Sequence, residues 1–263
     1  MGRTGAVGGG LGLAGLLVVL LLNVLGGGGG GINLDPGTGG LGGMPAAERD
    51  PNAPDPDAAL VDFVGFVLED VQQSWEQAFQ QAGRRYERTT LVLFERGTTT
   101  GCGSATSSVG PFYCPADRKV YLDLSFFQDL SRELGAPGDF AQAYVIAHEV
   151  GHHVQQLLGT SDRVRAAQQR RPDDANELSV ALELQADCLA GVWGHSAYTD
   201  QLLEQGDLEE GIGAASAVGD DRLQQQSGGR VDQETWTHGS SKQRVSWFRK
   251  GFDTGDPEEC DTF

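Results

Sequence analysis

The stretch His148-Glu149-Val150-Gly151-His152 matches the pattern HExxH and lies within a sequence of helical periodicity. Residues four apart on an α-helix point in nearly the same direction, so His148 and His152 present their imidazoles one turn apart. A single metal ion can bind both rings. Glu149 lies about 100° away around the same helix, where its carboxylate can reach a metal-bound water and act as a general base.

Apolar residues recur at helical spacing on both sides of this pattern, and they predict a helix packed against a core. They are Phe140, Ala143, Tyr144, Ile146, Ala147, Val150, Val154, Leu157 and Leu158. Asp139 is a candidate cap for the start of this helix, and Gly159 is a candidate end. The alternative is a helix whose two histidines face solvent or form ordinary hydrogen bonds, but the motif fits this context well enough to favour a metal site.

A catalytic zinc ion usually has three protein ligands and a water, so a third ligand is needed. The extended pattern HExxHxxGxxH is excluded because Gln155 and Leu158 occupy its Gly and His positions. A second apolar-periodic segment begins after Pro172-Asp173-Asp174 and carries Glu183 and Asp187 on one helix face. Buried carboxylates are costly when unpaired, so we expect one of them to bind the metal and the other to orient an imidazole.

These residues resemble those of a known family. HExxH followed by ExxAD resembles the gluzincin metallopeptidases, and further strings resemble the bacterial neutral zinc metallopeptidases, which are single-span membrane proteins of poorly known substrate. The strings are Gly110 to Pro115, Val120 to Phe127, His148 to Gln155, Glu183 to Trp193 and Gln243 to Phe252. The resemblance covers about residues 59 to 263. It implies one Zn²⁺ per chain on His148, His152 and Glu183, with Glu149 as base, which leaves Asp187 to orient an imidazole.

The expected activity is that of a zinc metalloendopeptidase, in which a zinc-activated water attacks the peptide bond and Glu149 takes the proton. One alternative is a zinc-containing protein that binds peptides or scaffolds envelope assemblies without turnover. Another is a hydrolase of a non-peptide bond that uses the same metal site. A complete general base disfavours the pure binding protein, because binding alone does not require Glu149.

Three further side chains are candidates for binding the oxyanion that forms at the scissile carbonyl. His238 lies in a predicted loop just before a C-terminal helix that starts near Ser240 or Ser241, so it can return to the cleft as a catalytic residue. The alternative is a histidine that only forms a hydrogen bond at the helix entry. Tyr121 and Tyr144 are equally possible donors.

Two other histidines are weaker candidates for the site. His153 follows His152 directly and lies about 100° off the ligand face, which predicts a surface residue or an outer support rather than a ligand. His195 lies twelve residues beyond Glu183 and can approach the metal only if its helix bends.

A substrate peptide usually needs an exposed strand edge along which it can form backbone hydrogen bonds. The segment from Lys119 to Leu124 alternates as a strand does, and the segment from Thr89 to Phe94 can pair beside it. The sequence leaves two possibilities open, an exposed edge beside the cleft or two interior strands of a small sheet.

The four cysteines contain no CxxC pair, which favours two disulfides over a metal cluster. Cys102 and Cys114 bracket a loop rich in Gly, Ser and Thr and form the better-supported pair. The pairing of Cys188 with Cys260 rests on elimination and on the family resemblance, and a reduced, buried Cys188 remains the alternative. Oxidised pairs would place the domain outside the cytosol.

The N-terminal region predicts a membrane anchor followed by a tether. The uncharged run of residues 5 to 25 reaches the roughly 20 residues that cross a bilayer. Arg3 precedes it and no basic residue follows soon, which favours a cytoplasmic N-terminus. We therefore expect a short cytoplasmic segment at 1–10, a transmembrane anchor at 11–27 and a flexible Gly/Pro-rich linker at 28–57. A cleaved signal peptide is the alternative, although no convincing cleavage site follows the run.

Residues 58–263 are long enough for one domain with its own core. Predicted helices at 58–84, 126–134 and around both ligand motifs, with strands near 89–95 and 119–124, indicate an α+β, predominantly helical, zincin-like domain with a small β-sheet. The net charge of −18 disfavours nucleic acid and anionic lipid as partners. The expected partners are a peptide or protein substrate and, through the N-terminal helix, a bacterial cell membrane that the chain crosses once with its catalytic domain outside the cytoplasm.

Overall fold

The structure is a computed structural model, and it describes residues 57–263. The cytoplasmic segment 1–10, the anchor 11–27 and nearly all of the linker 28–57 lie outside the described residues, so those assignments stay predictions. Among the residues that are described, no helix combines the length and the apolar character that crossing a bilayer requires.

The domain is mainly helical with small sheets, as the sequence predicts. Its helices are α1 (Ala58–Gln81), α2 (Ser125–Arg132), α3 (Asp139–Leu157), α4 (Thr160–Arg170), α5 (Ala175–Thr199), α6 (Asp207–Ala217), α7 (Asp220–Gln226) and α8 (Ser241–Thr254). Its strands are β1 (Thr90–Phe94), β2 (Gly97–Thr100), β3 (Gly103–Thr106), β4 (Phe112–Cys114) and β5 (Lys119–Asp123). Helix α1 ends earlier than predicted because Gly83 turns the chain with φ 67°.

The three-stranded sheet has the order β1-β5-β4, with β1 parallel and β4 antiparallel to the central strand. The predicted pairing of β1 with β5 is therefore confirmed. Strand β5 is interior, so it cannot offer the exposed edge that a substrate would use. The outer strands of this sheet are β1 and β4, and Phe112 of β4 pairs with Tyr121 of β5. Strands β2 and β3 form a separate antiparallel hairpin.

Helix α3 lies at the centre of the core and packs against α1, α5 and α6. Its start is held differently from the prediction that Asp139 caps it. Gly138 occupies the cap position with φ 117°, and the backbone N–H of Phe140 donates to the Glu210 carboxylate of α6 at 3.1 Å. A Cβ atom at position 138 would collide with that carboxylate. The expected end at Gly159 agrees with the structure, because its φ of 72° is left-handed.

Helices α5 and α8 approach each other closely. Gly191 of α5 and Gly251 of α8 make this possible, since a Cβ atom on either residue would strike the backbone of the opposite helix. The close packing brings the inner face of α8 to the helix that carries Glu183 and Asp187.

Both predicted disulfides are present. Cys102 joins Cys114 and so ties the loop after β2 to strand β4. Cys188 joins Cys260 across a sequence separation of 72, which fastens the C-terminus to α5. The alternative of a reduced Cys188 is therefore wrong in this structure.

Candidate metal centre

Three side chains from two helices converge where the sequence predicts a zinc site. His148 Nε2 lies 3.2 Å from Glu183 Oε2, and His152 Nε2 lies 3.5 Å from Glu183 Oε1. Zinc bonds of about 2.0–2.1 Å in a tetrahedral arrangement place neighbouring ligand atoms about 3.3 Å apart. Both the donor set, two imidazoles and a carboxylate, and its spacing therefore fit Zn²⁺.

The second nitrogen of each imidazole is held by its own acceptor. His148 Nδ1 donates to Asp187 Oδ1 at 2.9 Å, which is the arrangement expected for Asp187. His152 Nδ1 donates to Gln155 Oε1 at 2.9 Å. Because both protons are then on Nδ1, both Nε2 lone pairs are free to bind a metal on the side of Glu183.

Gln155 is a further residue of the candidate site, although its sequence position alone served only to exclude the pattern HExxHxxGxxH. It is fully buried, and its amide nitrogen donates to the Leu182 carbonyl at 2.7 Å and to Gln185 Oε1 at 3.1 Å. Leu182 directly precedes Glu183. The same side chain therefore fixes the His152 tautomer and holds that imidazole to the helix that carries the third ligand.

Asp187 lies within a buried polar network that the sequence analysis did not foresee. Arg244 Nε and Nη2 donate to its two oxygens at 2.8 Å each, and the Tyr144 hydroxyl donates to Oδ1 at 2.5 Å. Arg244 Nη1 also donates to the Val218 carbonyl. Burial alone would raise the pKa of Asp187, but Arg244 and His148 outweigh burial and lower it. Tyr144 is thus committed to Asp187, and Arg244 is the cation that makes its burial tolerable.

The signal for Arg244 was present in the sequence. It is a single cation on the inner face of α8, one helix turn before the fully buried Phe248, and it is itself only 3% exposed. A buried cation on a helix requires an anionic partner, and Asp187 is that partner.

The two carboxyls nearest the imidazoles have opposite pKa shifts. Burial raises the pKa of Glu149, and the charges of His148 and His152 only partly oppose this. Burial would also raise the pKa of Glu183, but His152, His148 and His238 outweigh burial and hold this pKa well below its usual range. The low pKa keeps Glu183 ionised, as a carboxylate ligand of a metal must be, and the raised pKa of Glu149 suits a carboxyl that carries a proton.

His238 lies on the wall of a cavity that opens onto His148, His152 and Glu183. Its Nδ1 lies 3.1 Å from Asp220 Oδ1, while Asp220 Oδ2 accepts the backbone N–H groups of Thr237, His238 and Gly239 at 2.8, 2.7 and 3.0 Å. Asp220 at the start of α7 thus fixes the whole loop. Because Nδ1 faces Asp220, the ring is oriented by a residue that the sequence analysis missed.

The remaining candidates lie elsewhere. His153 is 1% exposed and bonded to the Glu87 carbonyl and the Tyr113 hydroxyl, so the surface placement, one of the two expected for it, is wrong, while its exclusion as a ligand agrees with the structure. His195 Nδ1 donates to the Phe252 carbonyl at 2.7 Å and takes no part in the metal group. The Tyr121 hydroxyl donates to Asp117 at 2.6 Å.

A cavity of about 160 Å³ opens onto the three converging ligands. Its walls are mostly apolar and come from β4 and its flanks and from helices α2, α3, α4, α5, α7 and α8. The apolar wall residues are Val109, Pro111, Phe112, Pro115, Phe126, Leu134, Val145, Leu182, Val218 and Leu223. Clefts lined mainly by apolar side chains with a few polar groups are typical of ligand-binding sites.

The sequence profile of the family described as "Putative neutral zinc metallopeptidase" matches residues 1–263. The chain belongs to this family. It is 51% identical over 250 residues to the uncharacterized protein YpfJ of Escherichia coli K12, covering 94% of this chain and 86% of that protein. It is 49% identical over 189 residues to an uncharacterized protein of Mycobacterium tuberculosis H37Rv, covering 68% of this chain and 63% of that protein. No solved structure matches.

Proposed function

We propose that this family member is a zinc-dependent endopeptidase with Glu149 as the general base. The proposal rests on the convergence of His148, His152 and Glu183. The Nε2 atoms of the two histidines lie 3.2 and 3.5 Å from the Glu183 carboxylate, and each Nδ1 atom is hydrogen-bonded to another side chain. An arrangement that needed only a structural metal would not require a buried, unattached carboxyl such as Glu149 beside it.

When bound, the zinc ion supplies Lewis acidity to a carbonyl and makes water more acidic. Glu149 then takes the proton of the attacking water and delivers it to the leaving nitrogen. Its raised pKa suits both steps, since a proton carrier works best when its pKa lies near the operating pH. His238, oriented by Asp220, is placed on the cavity wall to donate to the oxygen of the scissile carbonyl.

The substrate backbone is expected to pair with β4. This strand is bonded to β5 on one side only, and Phe112 and Tyr113 contribute to the cavity wall. Addition of an extended peptide to such an edge supplies backbone hydrogen bonds without demanding a particular sequence. The arrangement supports action on peptide or protein substrates, in agreement with the family description.

We propose a bacterial cell membrane location with the catalytic domain outside the cytoplasm. Two features support it. The uncharged run of residues 5 to 25, which includes most of the segment 11–27, is long enough to serve as an anchor. The two disulfides of the domain are stable in an oxidising compartment.

The test compares wild type with Glu149→Gln, both with intact disulfides and both loaded with zinc. We expect one zinc per chain in each protein and hydrolysis of an unfolded casein substrate by wild type alone, measured as new amino termini. If both proteins bind zinc and neither releases termini from any protein substrate, a zinc-containing binding or scaffold protein becomes the better description. Equal hydrolysis by both would exclude Glu149 as the base.

A further inference from the structure

Two arginines line the wall of the cavity, and they differ in how many of their guanidinium nitrogens form hydrogen bonds within the protein. Arg244 makes two hydrogen bonds to Asp187, one to the Val218 carbonyl and one to the Tyr144 hydroxyl. It is 3% exposed, and its positive charge is compensated by the buried carboxylate of Asp187. Arg244 is therefore not free to bind a substrate group.

Arg165, on helix α4, is the other arginine of the wall. Its Nε atom is buried without a hydrogen-bond partner among residues 57–263. Its ion pair is with Asp162, at 4.0 Å, and that carboxylate is 64% exposed. The Arg165 side chain as a whole is 35% exposed, and no hydrogen bond from its guanidinium is formed within residues 57–263, so its outer nitrogens can donate to an acceptor that enters the cavity.

A second polar side chain lies on the same face of α4. Ser161 precedes Arg165 by four residues, is 8% exposed and also lines the cavity. Residues four apart on a helix are neighbours on its surface. The hydroxyl and the guanidinium thus form a donor pair at the margin of an otherwise apolar cleft.

We propose that Arg165 binds a carboxylate of the substrate, so that the cleft selects peptides that combine an apolar side chain with a carboxylate. This inference rests on the proposed peptidase function, because it names what that same cleft recognises. Arg is suited to the role since its planar fork can donate two parallel hydrogen bonds to one carboxylate. The carboxylate can come from the peptide C-terminus or from an Asp or Glu side chain.

The experiment measures binding rather than turnover, so that it does not depend on catalysis. Zinc-loaded Glu149→Gln protein is titrated with N-acetylated hexapeptides that contain Phe-Leu in an Ala background. One arm compares a free C-terminus with its amide. The other arm keeps the C-terminal amide and compares Glu with Gln at each Ala position. Calorimetry gives the dissociation constant for each member of a pair.

We expect the carboxylate form in at least one arm to bind about 10- to 100-fold more tightly than its neutral partner. Adding Arg165→Gln should abolish this difference, and Arg165→Lys should retain only part of it because an ammonium lacks the fork. Arg170→Gln is the matched control, since Arg170 is exposed on the same helix and should leave the difference unchanged.

The proposal is overturned if carboxylate and neutral peptides bind equally, if none of the peptides binds, or if the preference survives in Arg165→Gln. The last result would mean that the carboxylate binds elsewhere, for example at the metal. A carboxylate preference that depends on Arg165, in a protein whose wild type hydrolyses no peptide, would support the binding site while contradicting the peptidase function.

Discussion

Arg244 of α8 grips Asp187 of α5 through two hydrogen bonds of 2.8 Å, across a sequence separation of 57 residues. Asp187 in turn accepts a hydrogen bond from His148 at 2.9 Å. The C-terminal helix therefore positions an imidazole of the candidate metal centre, and its Arg244 Nη2 also lies 3.4 Å from His148 Nδ1. The close packing of α5 on α8 at Gly191 and Gly251 is what allows this reach.

Removal of Arg244 alone should be strongly destabilising. In Arg244→Met the carboxylate of Asp187, which is fully buried, loses its cation, and such a loss costs about 3–5 kcal/mol of unfolding free energy. Urea unfolding of the two proteins measures this. The double variant Asp187→Leu/Arg244→Met should recover much of the loss, whereas equal stability of Arg244→Met and wild type would contradict the assigned ion pair.

Gln155 should set zinc affinity rather than fold stability alone. Gln155→Ala removes the acceptor of His152 Nδ1, and loss of such a support typically weakens metal binding about 10- to 100-fold. Competition with a zinc-chelating dye measures the affinity. Gln155→Glu restores the acceptor but replaces the donor to the Leu182 carbonyl with a carboxylate oxygen, so it should recover only part of the affinity, and the exposed Gln169→Ala serves as the control. An unchanged affinity in Gln155→Ala would show that the His152 tautomer is fixed by something else.

His238 should affect the rate and not the metal. His238→Ala is expected to lower kcat by about 10²–10³-fold, the usual effect of removing one oxyanion donor, while zinc stoichiometry stays the same. Asp220→Asn, which disturbs the orientation of the ring, should lower kcat less. Loss of zinc in His238→Ala would instead make His238 a ligand, and an unchanged kcat would leave it a residue that only holds its loop.

Asp220 should also make stability depend on acid pH. Burial acts to raise the pKa of Asp220, but the hydrogen bonds from His238 and the backbone of residues 237–239 outweigh it and lower the pKa below the unfolded value of about 3.9. Its stabilising contribution is therefore complete above that value and is lost as the pH falls through the folded pKa.

The measurement is denaturant unfolding of wild type and Asp220→Asn between pH 7 and pH 3. The difference in unfolding free energy should be constant near neutral pH and shrink in the acid range. A difference that grows as the pH falls would mean that the folded-state pKa is raised instead.

The two disulfides should contribute different amounts to the free energy of unfolding. The loop closed by Cys188 and Cys260 has a sequence separation of 72, and that closed by Cys102 and Cys114 has one of 12. Chain entropy predicts losses of about 4 and about 3 kcal/mol respectively when each pair is replaced by alanine. Guanidinium unfolding of the two double variants compares them. A larger loss from the shorter loop would show that local strain or packing dominates.

The sequence predicted the parts of the site that are local in the chain. His148, Glu149 and His152 follow from helix periodicity, and Glu183 with Asp187 from the same rule on a second helix. Asp220 and Arg244 were missed because their partners are distant in the chain, whereas the bond from His152 to Gln155 spans three residues of one helix and helical spacing could have indicated it. For Arg244 the separation from its partner is 57 residues, and no local pattern encodes such a pairing.

In the fold, too, most local features could be predicted from the sequence and most contacts between distant residues could not. The presence of the helices around both ligand motifs and the pairing of β1 with β5 follow from periodicity, whereas the predicted ends of α1 and α2 at residues 84 and 134 lie beyond the observed ends at Gln81 and Arg132. The position of β4 at an outer edge of the sheet does not follow from periodicity, because a three-residue strand carries too little pattern to be recognised. The start of α3 was assigned to Asp139 from its position alone, whereas a carboxylate from α6 performs the task.

The most direct test of the account is the zinc content of wild type, Glu183→Ala and Glu177→Ala, each purified with its disulfides intact. Glu177 is exposed on the same helix and controls for the loss of a carboxylate on α5. We expect about one zinc per chain in wild type and in Glu177→Ala, and loss of zinc in Glu183→Ala, as a three-ligand protein site requires. Zinc absent from wild type, or retained in Glu183→Ala, would contradict the metal centre on which the proposed function depends.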